Sequence, residues 1–159
     1  MLNDKEITNF FNDTNIKLID CCCKDELPHK RYFGNYIINM QNSTDGNGTH
    51  WVFLKIDNNK GNPIGIYFDS FGVYCPEDIK NFVHPLKIIY SNREIQNIKS
   101  EMCGYFASAC AYYLCHDSSS NKCLEDNFND FISMFSDNTK LNDSILKEYL
   151  KKNSVYKDF

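Results

Sequence analysis

Residues 99–116 read KSEMCGYFASACAYYLCH, and the way this run folds decides the architecture of the chain. From Cys103 to His116 almost every residue is apolar. Fourteen such residues are too many for one strand, and Ala107, Ala109 and Ala111 favour a helix. A helix apolar on all sides belongs in a core, with other elements packed around it. Cys103 then falls on the first turn, with Gly104 beside it, where a residue without a side chain leaves room for a substrate backbone. Two readings of Cys103 stay open: an inert buried thiol, or a nucleophile whose pKa is lowered at the positive end of the helix. The run cannot choose between them, because a reactive thiol needs a base that lies elsewhere in the chain.

Composition narrows the field. With 159 residues, 42% hydrophobic and 14% aromatic, the chain can bury a core as a single domain over residues 1–159, and disorder is not expected. Lys and Arg number 17 against 21 acids, for a net charge of −4, and the basic residues are scattered. That pattern argues against a dedicated nucleic-acid binder or a membrane-surface binder. The N-terminal MLNDKEITNFFNDTN lacks a basic segment followed by an apolar one, so a non-secreted protein in a reducing compartment is expected. Its eight cysteines should then be mostly free thiols. Cys21, Cys22 and Cys23 are adjacent, so in a strand they alternate between faces. No C-x-x-C pair accompanies them, and half-buried thiols are expected there rather than zinc ligands.

The remaining elements follow from pattern. A short amphipathic helix is expected over about Asp4–Asn12, with Ile7, Phe10 and Phe11 on one face. IKLID and YIINM read as extended pieces, and a polar loop, QNSTDGNGT, delivers the chain to His50. HWVFLKI and IGIYFDSF are rich in β-branched and aromatic residues, and the six residues DNNKGN between them predict an antiparallel hairpin. CPEDIKNFV has the first turn of a helix, and LKIIY is a further strand. LEDNFNDFISMF sets Leu124, Phe128, Phe131, Ile132 and Phe135 on one helical stripe. NDSILKEYLKK predicts a last helix starting from an Asn/Asp cap. Helix, strands with one embedded helix, then helices: the class is α+β.

Candidate partners for Cys103 are few. His50 sits where a polar loop meets a strand, so its ring is presented at a strand edge. Asp69 interrupts the apolar run IGIYFDSFG on the neighbouring strand, and a buried carboxylate is costly unless it is paired. It could hold one imidazole nitrogen of His50, or it could cap the turn before SFG. Gln96 lies seven residues before Cys103, and its amide could join the Cys103 N–H in stabilising an oxyanion, although a lone Gln is usually a surface residue. Trp51, next to His50, reads as a core aromatic on its strand.

In this order, GTHW, YFDSFG, Gln96 and CGYFASACAYYL resemble the adenovirus maturation protease (adenain) family, closest to the versions in virophages and Maverick/Polinton elements. The likeness runs from about Phe10 to His116, and the last forty or so residues carry no matching motif. The resemblance implies a papain-like cysteine protease fold of the adenain and ubiquitin-like-protein protease group, with a central helix on a small, mainly antiparallel sheet. It implies that Cys103 is the nucleophile, His50 its general base and Asp69 the group that orients His50. The Gln96 amide and the Cys103 N–H would form the oxyanion hole, while Trp51 and Gly104 would border the substrate cleft. The implied function is a viral endopeptidase that cleaves capsid and structural precursors near glycine during virion maturation. Removal of ubiquitin-like modifiers is the alternative that the same four residues serve. The implied setting is the virion and the host cytoplasm or nucleus, without a cofactor, metal or membrane. An activating viral peptide is a further partner the family suggests, although no cysteine stands in the tethering context, Cys75 being the nearest. The charge balance leads to the expectation that DNA is not required.

Overall fold

A computed structural model describes residues 1–46, 49–153 and 155. Asn47 and Gly48, in the polar loop before His50, lie outside the described residues. Five strands form one sheet in chain order: β1 (Leu18–Cys23), β2 (Gly34–Asn39), β3 (Trp51–Asn59), β4 (Asn62–Phe68) and β5 (Lys87–Tyr90). Helices are α1 (Asp4–Asp13), α2 (Glu77–Val83), α3 (Cys103–Tyr112), α4 (Leu124–Ser133) and α5 (Asn142–Lys152). The 103–116 run is indeed the central helix, its last residues widening into a π-helical turn over Tyr113–Asp117. Among the described residues no helix is long and apolar enough to cross a membrane.

Side chains alternate across the sheet and feed two cores. Ile37, Trp51, Phe53, Ile66 and Phe68 face α1, α3, α4 and α5 and join Phe106, Phe128, Phe131 and Leu146. Tyr36, Ile38, Val52, Leu54 and Tyr67 face the other way, against Ile79 and Val83 of α2. Phe106, Ala109, Cys110 and Ala111 are fully buried, as a helix apolar on all sides requires. The stripe on α4 packs as expected: the Phe131 ring meets Phe68 and Phe135 edge-on at 5.5 and 5.3 Å.

Three local expectations change. The sheet is mixed rather than mainly antiparallel. β2, β3 and β4 pair antiparallel, whereas β1 runs parallel to β2 and β5 parallel to β4. For β5 the reason is the intervening α2, which carries the chain back along one face as a crossover. The hairpin is also tighter than six residues. β3 and β4 continue until Asn59 pairs with Asn62, leaving Lys60 (φ 53°) and Gly61 (φ 89°) as a two-residue turn. Positive φ at both positions matches the right-handed twist of the strands. Finally, Asn142 does not cap α5. It is the first helical residue, and its side chain bonds to the carbonyls of Ile95 and Ser136 instead.

Candidate active site

β3 begins one residue after His50, and β4 ends one residue before Asp69. Phe53 pairs with Phe68 in the antiparallel register, so the start of β3 and the end of β4 share one end of the sheet. There the His50 Nε2 lies 2.8 Å from Asp69 Oδ1. Asp69 is 3% exposed, so its charge is met by this ring rather than by water. A carboxylate only accepts, so Nε2 carries the proton of that bond. The other ring nitrogen, Nδ1, is buried, and the Cys103 thiol acts on the imidazole as a hydrogen-bond partner and as a charge.

Cys103 opens α3 and is 2% exposed. Burial alone would push its thiol up, but His50 and the backbone N–H groups of Trp51 and Gly104 overcome this and hold it below its ordinary value of 9.0. His50 moves the opposite way. Burial pushes its pKa down, whereas the Asp69 hydrogen bond, and then Cys103, raise it to about 9. The two shifts act in the same sense, each toward a thiolate beside an imidazolium. The Cys103 N–H, on the first turn of α3, has no intrahelical acceptor and is a donor beside the sulfur.

Asp69 fills both roles that its sequence position left open. Its Oδ1 also accepts from the Phe71 N–H at 2.8 Å, and its carbonyl accepts from the Gly72 N–H at 2.8 Å, closing a tight turn. Gly72 has φ +72°, and a Cβ there would lie 2.8 Å from the backbone carbonyl of Arg93. Only glycine fits that turn. Phe71, to which the sequence reading gave no role, lays its ring on the His50 imidazole at 4.8 Å and 32°. Its signal was the third aromatic of YFDSFG.

Gln96 is not a surface residue: it is 1% exposed. Its Oε1 accepts from the Ser70 hydroxyl at 2.6 Å, and its Nε2 donates to the Ser100 carbonyl at 2.9 Å. The structure thus joins it to the Asp69 turn and to the segment entering α3, while its described hydrogen bonds do not include Cys103. Trp51 is 7% exposed and donates its indole N–H to the Leu2 carbonyl at 2.9 Å. One edge of it borders a cavity shared with Asp4, Cys22, Glu26 and Asn39. Gly104 is buried, and a Cβ there would meet Leu2 at 3.1 Å and Trp51 at 3.3 Å. Packing inside the chain therefore occupies the space that the sequence reading reserved for a substrate backbone.

All eight cysteines are free. Cys21, Cys22 and Cys23 lie half-buried on β1, and burial pushes the Cys21 thiol up to about 12. Cys23, Asp25 and Glu26 bring ligand-type atoms within 4.8 Å of one another. Their carboxylates are already bonded, Asp25 to Ser43 and Glu26 to the Cys23 N–H. His116 binds the Thr14 carbonyl at 2.8 Å, away from Cys103.

No protein-family model matches the chain, and no curated protein does. Among solved structures it is similar to the ASFV pS273R protease, with TM-score 0.59 and 14% identity over 96% of this chain and 64% of that one. The selenomethionine crystal structure of the same protease gives TM-score 0.52 and 18% identity over 77% and 44% of the two chains. A deletion variant of AvrA with IP6 and CoA gives 0.50 and 16% over 92% and 55%. The chain spans between 44% and 64% of the length of these neighbours. It has the α+β fold of the pS273R protease.

Proposed function

We propose that this chain is a viral cysteine endopeptidase in which Cys103 attacks, His50 transfers protons, Asp69 orients His50, and Gln96 with the Cys103 N–H binds the oxyanion. The observation that carries the reading is the placement of one imidazole between a buried carboxylate and a helix-start thiol, with the thiol pKa lowered and the imidazole pKa raised. The Cys103 thiolate adds to the scissile carbonyl carbon, and the oxygen gathers negative charge. Collapse of that adduct breaks the C–N bond, and the His50 imidazolium gives its proton to the leaving amine. Neutral His50 then takes a proton from water, whose hydroxide adds to the thioester. Collapse expels the thiolate, releases the carboxylic acid and restores the ion pair.

Assignment to the adenovirus-protease type found in virophages and Maverick/Polinton elements rests on the ordered set His50-Trp51, Asp69, Gln96 and Cys103-Gly104. On that reading the substrates are capsid and minor structural precursors, cut beside glycine in extended segments, in the virion or the host cytoplasm or nucleus. The preference for small residues beside the scissile bond is supported by the aromatic residues flanking His50, Trp51 in the chain and Phe71 against its ring. The test is incubation with the major capsid and minor structural proteins of the same genome, followed by mapping of new termini. New termini after glycine support the reading. Intact precursors together with rapid labelling by a ubiquitin-like-modifier aldehyde would favour the isopeptidase instead.

A further inference from the structure

The last forty residues matched no motif, yet their helix α5 reaches the Gln96 carboxamide through a chain of partly buried hydrogen bonds. We propose that Ser70, Ser100 and Asp143 are positioning residues that fix the Gln96 amide as an oxyanion donor, so that the C-terminal helix sets the geometry of the hole. This rests on the reading of Gln96 given above.

The amide is held at both ends. Its oxygen accepts from Ser70 Oγ at 2.6 Å, and its nitrogen donates to the Ser100 carbonyl at 2.9 Å. A carbonyl can only accept, so the nitrogen must face Ser100 and the flipped amide is excluded. A primary amide has two N–H groups. One serves the Ser100 carbonyl, and the contact to Ser100 Oγ is longer, at 3.3 Å, so the second N–H is the one an oxyanion would take. Ser100 is itself oriented from α5. Its hydroxyl gives its single proton to Asp143 Oδ1 at 2.8 Å, which turns its lone pairs toward the Met102 N–H at 3.2 Å and toward Gln96.

The backbone is clamped in the same way. The Ser70 carbonyl accepts from the N–H groups of both Ile95 and Gln96, at 3.0 and 2.8 Å. Asn142, fully buried beside Asp143, donates to the Ile95 carbonyl at 2.8 Å and bonds both backbone polar groups of Ser136. Ser70 follows Asp69 directly, so one turn orients His50 through its first residue and Gln96 through its second. Preorganised donors act because they need no rearrangement as charge develops, and small misplacements are costly.

The experiment measures kcat and KM on a pool of fluorogenic tetrapeptides for the wild-type chain and for Ser70→Ala, Asp143→Ala, Asp143→Asn and Gln96→Ala. Alkylation of Cys103 by iodoacetamide is followed in parallel, since displacement at a saturated carbon forms no oxyanion. Ser70→Ala and Asp143→Ala should each lose about 10-fold in kcat, with KM and alkylation unchanged. Asp143→Asn, which keeps the accepting oxygen, should stay within about 2-fold of wild type. In a Gln96→Ala background neither alanine variant should cost anything more. Full kcat in Ser70→Ala and Asp143→Ala beside an impaired Gln96→Ala would overturn the proposal, as would loss of alkylation along with kcat. A Gln96→Ala chain with normal kcat would instead remove the oxyanion reading itself.

Discussion

Asp69→Asn takes the negative charge from beside His50 while leaving an oxygen that can still accept from the Phe71 N–H. Raising His50 from 6.5 to about 9 corresponds to about 3 kcal/mol in favour of the imidazolium, achieved against burial. The Asp69 bond leads the contributions that raise it and Cys103 follows, so the largest share of that preference depends on Asp69. Without it the His50 pKa should drop, and the coupled Cys103 thiol should climb. The assay is the rate of iodoacetamide alkylation of Cys103 from pH 5 to 10, with the site confirmed by peptide mapping. At pH 6 the variant should react about 10- to 30-fold more slowly than wild type. Toward pH 10 the difference should shrink as the thiolate forms in both. The sign follows from the pair: a cation that survives to higher pH keeps its thiolate at lower pH. A variant with an unchanged profile, or one slowed equally at every pH, would refute this account of Asp69.

Gly72→Ala should lower stability by about 2 kcal/mol, because an L-residue at φ +72° is strained and its Cβ would press on the Arg93 carbonyl. A thermal melt should show a midpoint about 5 °C lower, and an unchanged midpoint would mean that the turn is not tight. Trp51→Phe leaves the Leu2 carbonyl without its indole donor and should cost about 1–2 kcal/mol in chemical denaturation. A neutral result would show that water replaces the bond freely. Turnover at low salt should change less than about 10-fold on adding duplex DNA, since 17 basic residues face 21 acids. A larger rise that salt abolishes would reveal a basic patch assembled by the fold.

The central helix was legible because fourteen nearly unbroken apolar residues have only one comfortable structure, and His50 and Asp69 met because a hairpin signal placed their strands side by side. What escaped depended on pairing at a distance. The parallel direction of β1 and β5 is decided by how loops and α2 route the chain, which no local pattern encodes. Asn142 looked like a cap because Asn before an amphipathic run usually is one, yet the carbonyls of Ile95 and Ser136 were the acceptors its amide found. Gln96 carried no sign of burial, since Ser70 and Ser100, which satisfy its amide, are ordinary polar residues in sequence. Gly104 next to the thiol suggested substrate access, and only the folded N-terminus reveals Leu2 against it.

The most direct test of the account is the hydrolysis rate of the Cys103→Ala chain on the fluorogenic peptide pool, measured beside wild type with circular dichroism and a thermal melt on both. The methyl side chain keeps the start of α3 filled but removes the nucleophile. The variant should be a folded protein with the wild-type spectrum and a rate at least about 10³-fold lower, the other seven thiols being unable to compensate. A folded Cys103→Ala chain that still hydrolyses peptides at close to the wild-type rate would contradict it.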